Sequence, residues 1–138
     1  MTQIKFGTDG WRAILNEDFT YENTDKVING IAAYVYKESS YDKKIIVGYD
    51  PRNQADNFAF YIAEKLSSFG FDVEASEKII ATPVLAYAAL NKNAYAIMIT
   101  PLSPSTPVWK NVVMKSVFSP LFFPPYVNKP KGEPFLFL

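Results

Sequence analysis

The stretch Lys44-Ile45-Ile46-Val47-Gly48-Tyr49-Asp50-Pro51-Arg52-Asn53 decides the fold. Ile45, Ile46 and Val47 are consecutive β-branched residues without the apolar–polar alternation of a half-exposed strand, so they suit a strand buried on both faces. Asp50-Pro51 ends that strand in a turn, and Asn53 stands where a helix would be capped. A strand with two buried faces needs a covering layer on each side, and the flanking sequence supplies helices.

Downstream, residues 54–69 set Phe58, Tyr61, Ile62, Leu66 and Phe69 around a helical period and stop at Gly70. Residues 71–75 read as a short strand. Thr82-Pro83 reads as an N-cap and first-turn proline opening a helix over 84–90, and residues 94–99 form another compact apolar strand. Upstream, Val27, Ile28, Ile31, Ala32, Val35 and Tyr36 mark an amphipathic helix within 23–38, with Asn23, Thr24 and Asp25 as possible caps. A short strand near 4–6, extended to Ile14, joins the sheet edge. This alternation predicts a three-layer α/β/α domain around a mixed, mostly parallel sheet with right-handed crossovers. Ligands of such sheets sit at strand carboxyl ends, here Gly48 to Arg52 and Ile99 onward.

At 138 residues the chain is sized for one domain, and 16% aromatic content argues against disorder throughout. Fourteen basic and fourteen acidic side chains cancel, so nucleic acid and anionic membrane surfaces are not expected partners. Without Cys or His, disulfides, the usual zinc sites and imidazole acid–base chemistry are excluded. Residues 1–12 lack the apolar segment of a signal peptide, and no run approaches about 18 apolar residues, so a cytoplasmic location is expected.

The composition changes at Thr100: of ten prolines, only Pro51 and Pro83 precede it. The expected division is therefore a domain over 1–100 and an irregular, proline-rich segment over 101–138. Residues 117–138 combine Pro120, Pro124, Pro125, Pro130 and Pro134 with Phe118, Leu121, Phe122, Phe123 and Phe135 to Leu138. Prolines interrupt any ladder or helix there, while the apolar side chains favour self-association. On that reading a chain ending at Thr100 is the more soluble and more monodisperse form.

Two segments carry candidate chemistry. Gly7-Thr8-Asp9-Gly10-Trp11-Arg12 brings together glycines, a hydroxyl and a guanidinium that can wrap an anion, with Thr8 and Arg12 on the phosphate. The plain alternative is an Asp-Gly hairpin turn with Trp11 in the core. Arg52, just past a strand end, can supply a second phosphate contact; the plain alternative is a solvated turn.

Taken in order and spacing, Phe6 to Arg12, Val47 to Arg52, Ala81 to Tyr87 and Ala96 to Thr100 resemble the first domain of the α-D-phosphohexomutases, which include phosphoglucomutases and phosphomannomutases. The resemblance covers Ile4 to Thr100. It implies the first of four domains in an enzyme that moves phosphate between C1 and C6 of a hexose, through a phosphoserine and Mg²⁺. It further implies a hexose phosphate substrate and glucose 1,6-bisphosphate as activator. The family's loop Thr-Ala-Ser-His-Asn-Pro is altered here to Thr100-Pro101-Leu102-Ser103-Pro104-Ser105. With one inserted residue Ser103 occupies the nucleophile position and, through its phosphate, the metal position, while Pro104 replaces the histidine. Without the insertion the nucleophile position holds Leu102. Arg12 is the matching catalytic cation and Arg52 a phosphate contact. Farther on, Lys110-Asn111 stand over the family's Asn-Gly and Val113 over its lysine. A disrupted loop and the missing domains imply a chain inactive by itself; the alternative is a non-catalytic remnant or interaction domain of the same fold.

Overall fold

The computed structural model describes residues 4–7, 10–38, 43–100 and 112–116. Six strands form one sheet: β1 (Phe6–Gly7), β2 (Gly10–Ala13), β3 (Lys44–Tyr49), β4 (Asp72–Ala75), β5 (Tyr95–Thr100) and β6 (Val112–Ser116). The helices are α1 (Tyr21–Glu38), α2 (Ala55–Ser68) and α3 (Thr82–Asn91). The sheet order is β1-β2-β6-β5-β3-β4.

The parallel part is β4-β3-β5, the portion linked by helical crossovers. From β5 through β6 and β2 to β1 every ladder is antiparallel. The chain from β1 to β2 reverses over a connection too short for anything but a hairpin. Gly10, at φ 117°, takes a conformation that favours glycine as it pairs with Gly7, and Trp11 is buried just beyond. The hairpin reading of this segment is therefore realised in the backbone, with Gly10 on the strand rather than in the turn.

Alternation along the two central strands builds the three layers. Ile45, Val47 and Tyr49 of β3 join Tyr95, Ile97 and Ile99 of β5 and Trp11 and Ala13 of β2 in one core with α1 and α2. Ile46, Ala96 and Met98 point the other way and pack with Leu85 and Ala89 of α3. Both faces are covered, which is why the sequence of β3 shows no alternation. Among the described residues, no helix is long and apolar enough to cross a membrane.

The helix starts depart from the sequence reading. α1 begins at Tyr21, and Thr20 Oγ1 accepts the Asn23 N–H at 3.2 Å, so Thr20 is the capping side chain and Asn23, Thr24 and Asp25 already lie inside the helix. α2 follows Gln54 in a left-handed conformation (φ 62°) with no side-chain cap, so Asn53 does not cap it. α3 takes Ala81 as N-cap, with Thr82 and Pro83 already helical. In each case burial of the helix face fixed the start, and capping chemistry adjusted to it.

The sheet also continues past Thr100, where the composition changes. β6 lies between β5 and β2, so residues 112–116 are an interior strand rather than loose attachment. The expected irregularity of 117–138 falls outside the described residues.

At Gly48 the sheet lies close under Ile80 and under Leu85 of α3. A Cβ there would stand 2.6 Å from Ile80 Cγ2 and 3.1 Å from both δ-methyls of fully buried Leu85. Gly48→Ala is expected to destabilise the domain by about 1–3 kcal/mol through overpacking. A urea midpoint indistinguishable from that of the parent chain would mean that Ile80 yields without cost.

Candidate functional site

Asp50 leaves the end of β3 with its N–H donated to Ile99 O at 3.2 Å, which fixes the start of the turn beside the end of β5. Asp50 Oδ1 accepts the Arg52 N–H at 3.1 Å, and Oδ2 pairs with Arg52 Nε at 3.0 Å. One carboxylate thus both closes the turn across Pro51 and orients the guanidinium. The ion pair uses Nε, leaving the two terminal nitrogens of a half-exposed arginine as a fork for an anion. The sequence reading used Asp50 only as a turn former; its spacing two residues before Arg52 was the signal for this second role.

Burial pushes the Asp50 carboxyl above the ordinary aspartate range, opposed in part by the Arg52 N–H and charge. The folded chain therefore holds a proton on Asp50 in a pH window where the unfolded chain has lost it. This group's contribution to stability accordingly falls as pH rises from the ordinary aspartate pKa through the raised folded value. Asp50→Asn keeps an acceptor for the Arg52 N–H and removes the buried charge. It is expected to raise the urea midpoint at neutral pH and to converge with the parent below the carboxylate range. A variant less stable than the parent at every pH would show that the ion pair outweighs the desolvation.

Register across the sheet aligns the remaining segments. Arg12 is paired with Val113, which is paired with Thr100. At two strand spacings, Arg12 and Thr100 are about 10 Å apart along one row. Tyr49 pairs with Ile99, so Asp50 and Arg52 leave the sheet at the same edge. Arg12 thus stands level with the last residue of β5, where the 101–107 segment starts, at the register position between buried Trp11 and Ala13. Gly7 and Gly10 pair on the side of Trp11 away from that edge. Thr8, Ser103 and the altered loop lie outside the described residues.

Two other features do not compete for this role. An open groove between α1 and α2, lined by Tyr21, Asn57, Phe60, Tyr61 and Glu64, is aromatic and acidic, without the cation that a phosphate needs. Among the described residues, no group of three or more acidic side chains could hold a metal ion.

The architecture is that of a three-layer α/β/α domain with a cation-bearing turn at the carboxyl ends of its strands. Residues 3–113 match the family described as phosphoglucomutase/phosphomannomutase, alpha/beta/alpha domain I, and the chain belongs to that family. It is 32% identical over 106 residues to a phosphoglucosamine mutase of Dictyoglomus turgidum, covering 77% of this chain and 23% of that protein. It is 38% identical over 82 residues to a phosphoglucosamine mutase of Caldanaerobacter subterraneus subsp. tengcongensis, covering 59% of this chain and 18% of that one. A crystal structure assigned as a phosphomannomutase from Thermus thermophilus shares the fold, with a TM-score of 0.71 and 24% identity over 83% of this chain and 25% of that one. The chain thus spans about a fifth to a quarter of the length of the relatives it matches.

Proposed function

We propose that this chain acts as the serine-bearing first domain of a phosphohexomutase, holding a phosphate group at the carboxyl edge of its sheet. The observation that supports this most directly is the row joining Arg12, Thr100 and the Asp50–Arg52 turn at one edge. Arg52 offers its terminal nitrogens to phosphate oxygens, and Arg12 supplies a further donor. Ser103 is the proposed phosphate carrier, loaded from glucose 1,6-bisphosphate, and the substrate class is a hexose phosphate. Phosphoryl transfer of this kind depends on positioning and charge stabilisation more than on covalent chemistry supplied by protein side chains. Among the described residues, no group of three or more acidic side chains could hold the Mg²⁺ that the family chemistry implies. Its proposed ligands are the Ser103 phosphate and carboxylates outside the described residues.

The chain alone is expected to bind a sugar phosphate weakly without turning it over. Titration of glucose 6-phosphate, followed at the backbone amides of Asp50, Arg52 and Asn53, tests the binding. Arg52→Ala should weaken it about tenfold, the equivalent of one charge-assisted contact. Equal affinity for the variant, or equal response to uncharged glucose, would remove Arg52 from the site. Pro101, Pro104 and Pro107 withdraw amide donors from the loop, so intact mass after incubation with glucose 1,6-bisphosphate should show substoichiometric phosphate on Ser103. The replacement of the family's histidine by Pro104 favours the second reading, a non-catalytic interaction domain, and complete absence of phosphate would select it.

A further inference from the structure

The turn that follows β3 is flanked on both sides. On one side the Asp50 N–H reaches Ile99 O, so the end of β5 adjoins it. On the other side lies the segment that joins β4 to α3. Its Ser76 N–H donates to Val47 O at 2.8 Å, and its Ile80 N–H donates to Tyr49 O at 3.0 Å. Between these two bonds the Tyr49 hydroxyl donates to Glu77 O at 3.3 Å. The Tyr49 ring belongs to the core shared with α1 and α2, whereas Ile80 packs with the α3 layer. Residues 76–80 therefore form a strap that crosses the end of β3 from one face of the sheet to the other, tied twice by Tyr49. Ser76 Oγ closes the strap internally by donating to Lys78 O at 2.6 Å.

We propose that this strap is the second wall of the anion site, with Lys78 as a further cation for the phosphate and Tyr49 as the residue that positions it; the inference rests on the reading of Arg52 as a phosphate contact. Lys78 is two residues from the Ile80–Tyr49 bond and Arg52 is three residues from Tyr49, so the two backbones stay within about 7 Å and about 11 Å of one strand end. Arg52 is half-exposed and paired through Nε. Lys78 is exposed, and no described residue forms an ion pair with it. An ammonium without a carboxylate partner gives up no contact when it turns to an incoming phosphate. α3 opens at Thr82 just beyond the strap, which brings the positive end of its dipole to the same edge. Glu77, also exposed, carries the opposite charge one residue from Lys78. The strap thus adds no net charge, and its two charged side chains act on a bound anion with opposite signs. Tyr49 touches no ligand; its hydroxyl and carbonyl hold the pair at the end of β3.

Titration of the full chain with glucose 6-phosphate at low ionic strength, followed at the backbone amides of Asp50, Arg52 and Lys78, tests the strap. Lys78→Gln should weaken binding about threefold and Glu77→Gln should tighten it about twofold, the size of single exposed charge contacts. Both effects should shrink in high salt. A folding defect lowers affinity in any variant, so the gain in Glu77→Gln is the result that lost structure cannot imitate. Tyr49→Phe keeps the ring and the Ile80 bond but removes the hydroxyl, and in that background both effects should fall to less than half. Undiminished effects there would remove Tyr49 from its positioning role. Equal affinities for the parent, Lys78→Gln and Glu77→Gln overturn the inference even where Arg52→Ala weakens binding tenfold, because the anion site then stands without the strap. Opposite shifts in the Glu77 and Lys78 variants with Arg52→Ala binding like the parent would uphold the strap and overturn the reading of Arg52. No saturable shift in the parent chain would overturn both.

Discussion

A chain ending at Thr100 is expected to lose its cooperative fold, whereas one ending at Ser116 keeps it. Among the described residues, β2 is held in the sheet by β6 alone on its inner side, and β1 is held only by β2. Removing β6 therefore detaches three strands at once and strips the pairing along one side of β5 from Ile97 to Thr100, all of them buried. Each buried backbone group left without a partner costs about 1–3 kcal/mol, against a total of about 5–15 kcal/mol for a domain. Trp11, which stacks on Phe19 at 5.0 Å between ring centres, would leave the core with its strand. The composition of the chain leads to the opposite expectation, that truncation at Thr100 improves solubility, because proline marks a boundary that the sheet crosses. Near-ultraviolet circular dichroism and urea unfolding of chains ending at 100, 116 and 138 decide between them. A cooperative transition at an unchanged midpoint for the shortest form would mean that β6 contributes little.

What could be read in the sequence follows the distance over which each contact acts. β3, α2, β4, α3 and β5 are consecutive and linked by crossovers, so local periodicity and the unbroken apolar runs at 45–47 and 96–99 suffice to order them. β6 is an antiparallel return strand whose neighbours, β5 and β2, are remote from each other in sequence. Val112, Val113 and Met114 carry an apolar run, but nothing local separates an interior strand from another greasy stretch among prolines. The same gap limits the site. Arg52 can be placed at a strand end from the Asp50-Pro51 turn, whereas the level of Arg12 with Thr100 exists only through Val113. Asn53 and Thr82 have capping chemistry one position away from the actual N-caps, Gln54 and Ala81, because packing sets the helix start.

Phe58→Ala should be among the most damaging single substitutions in the domain, at about 3–5 kcal/mol. The ring is 1% exposed, lies edge-on to Phe19 at 4.5 Å and stacks with Tyr21 at 4.6 Å. Phe19 in turn stacks on Trp11, so one side chain of α2 is joined through rings to the start of α1, to the loop before it and to β2. Aromatic pairs of this kind contribute about 0.5–1.5 kcal/mol beyond the area they bury, and the cavity left by alanine would lie beneath all of them. Phe60, two residues farther along the same helix, is the internal comparison. It is 48% exposed, and its ring lies 5.9 Å from that of Tyr49 between centres. Phe60→Ala should cost less than about 1 kcal/mol, because a half-exposed ring has little apolar area to lose. Urea unfolding of the two variants, with intrinsic tryptophan emission as the probe, separates packing from composition, since both remove one phenyl ring from one helix. Equal losses would show that the Trp11–Phe19–Phe58 cluster does not bind the two sides of the core, and that β2 is held by its ladder to β6 instead.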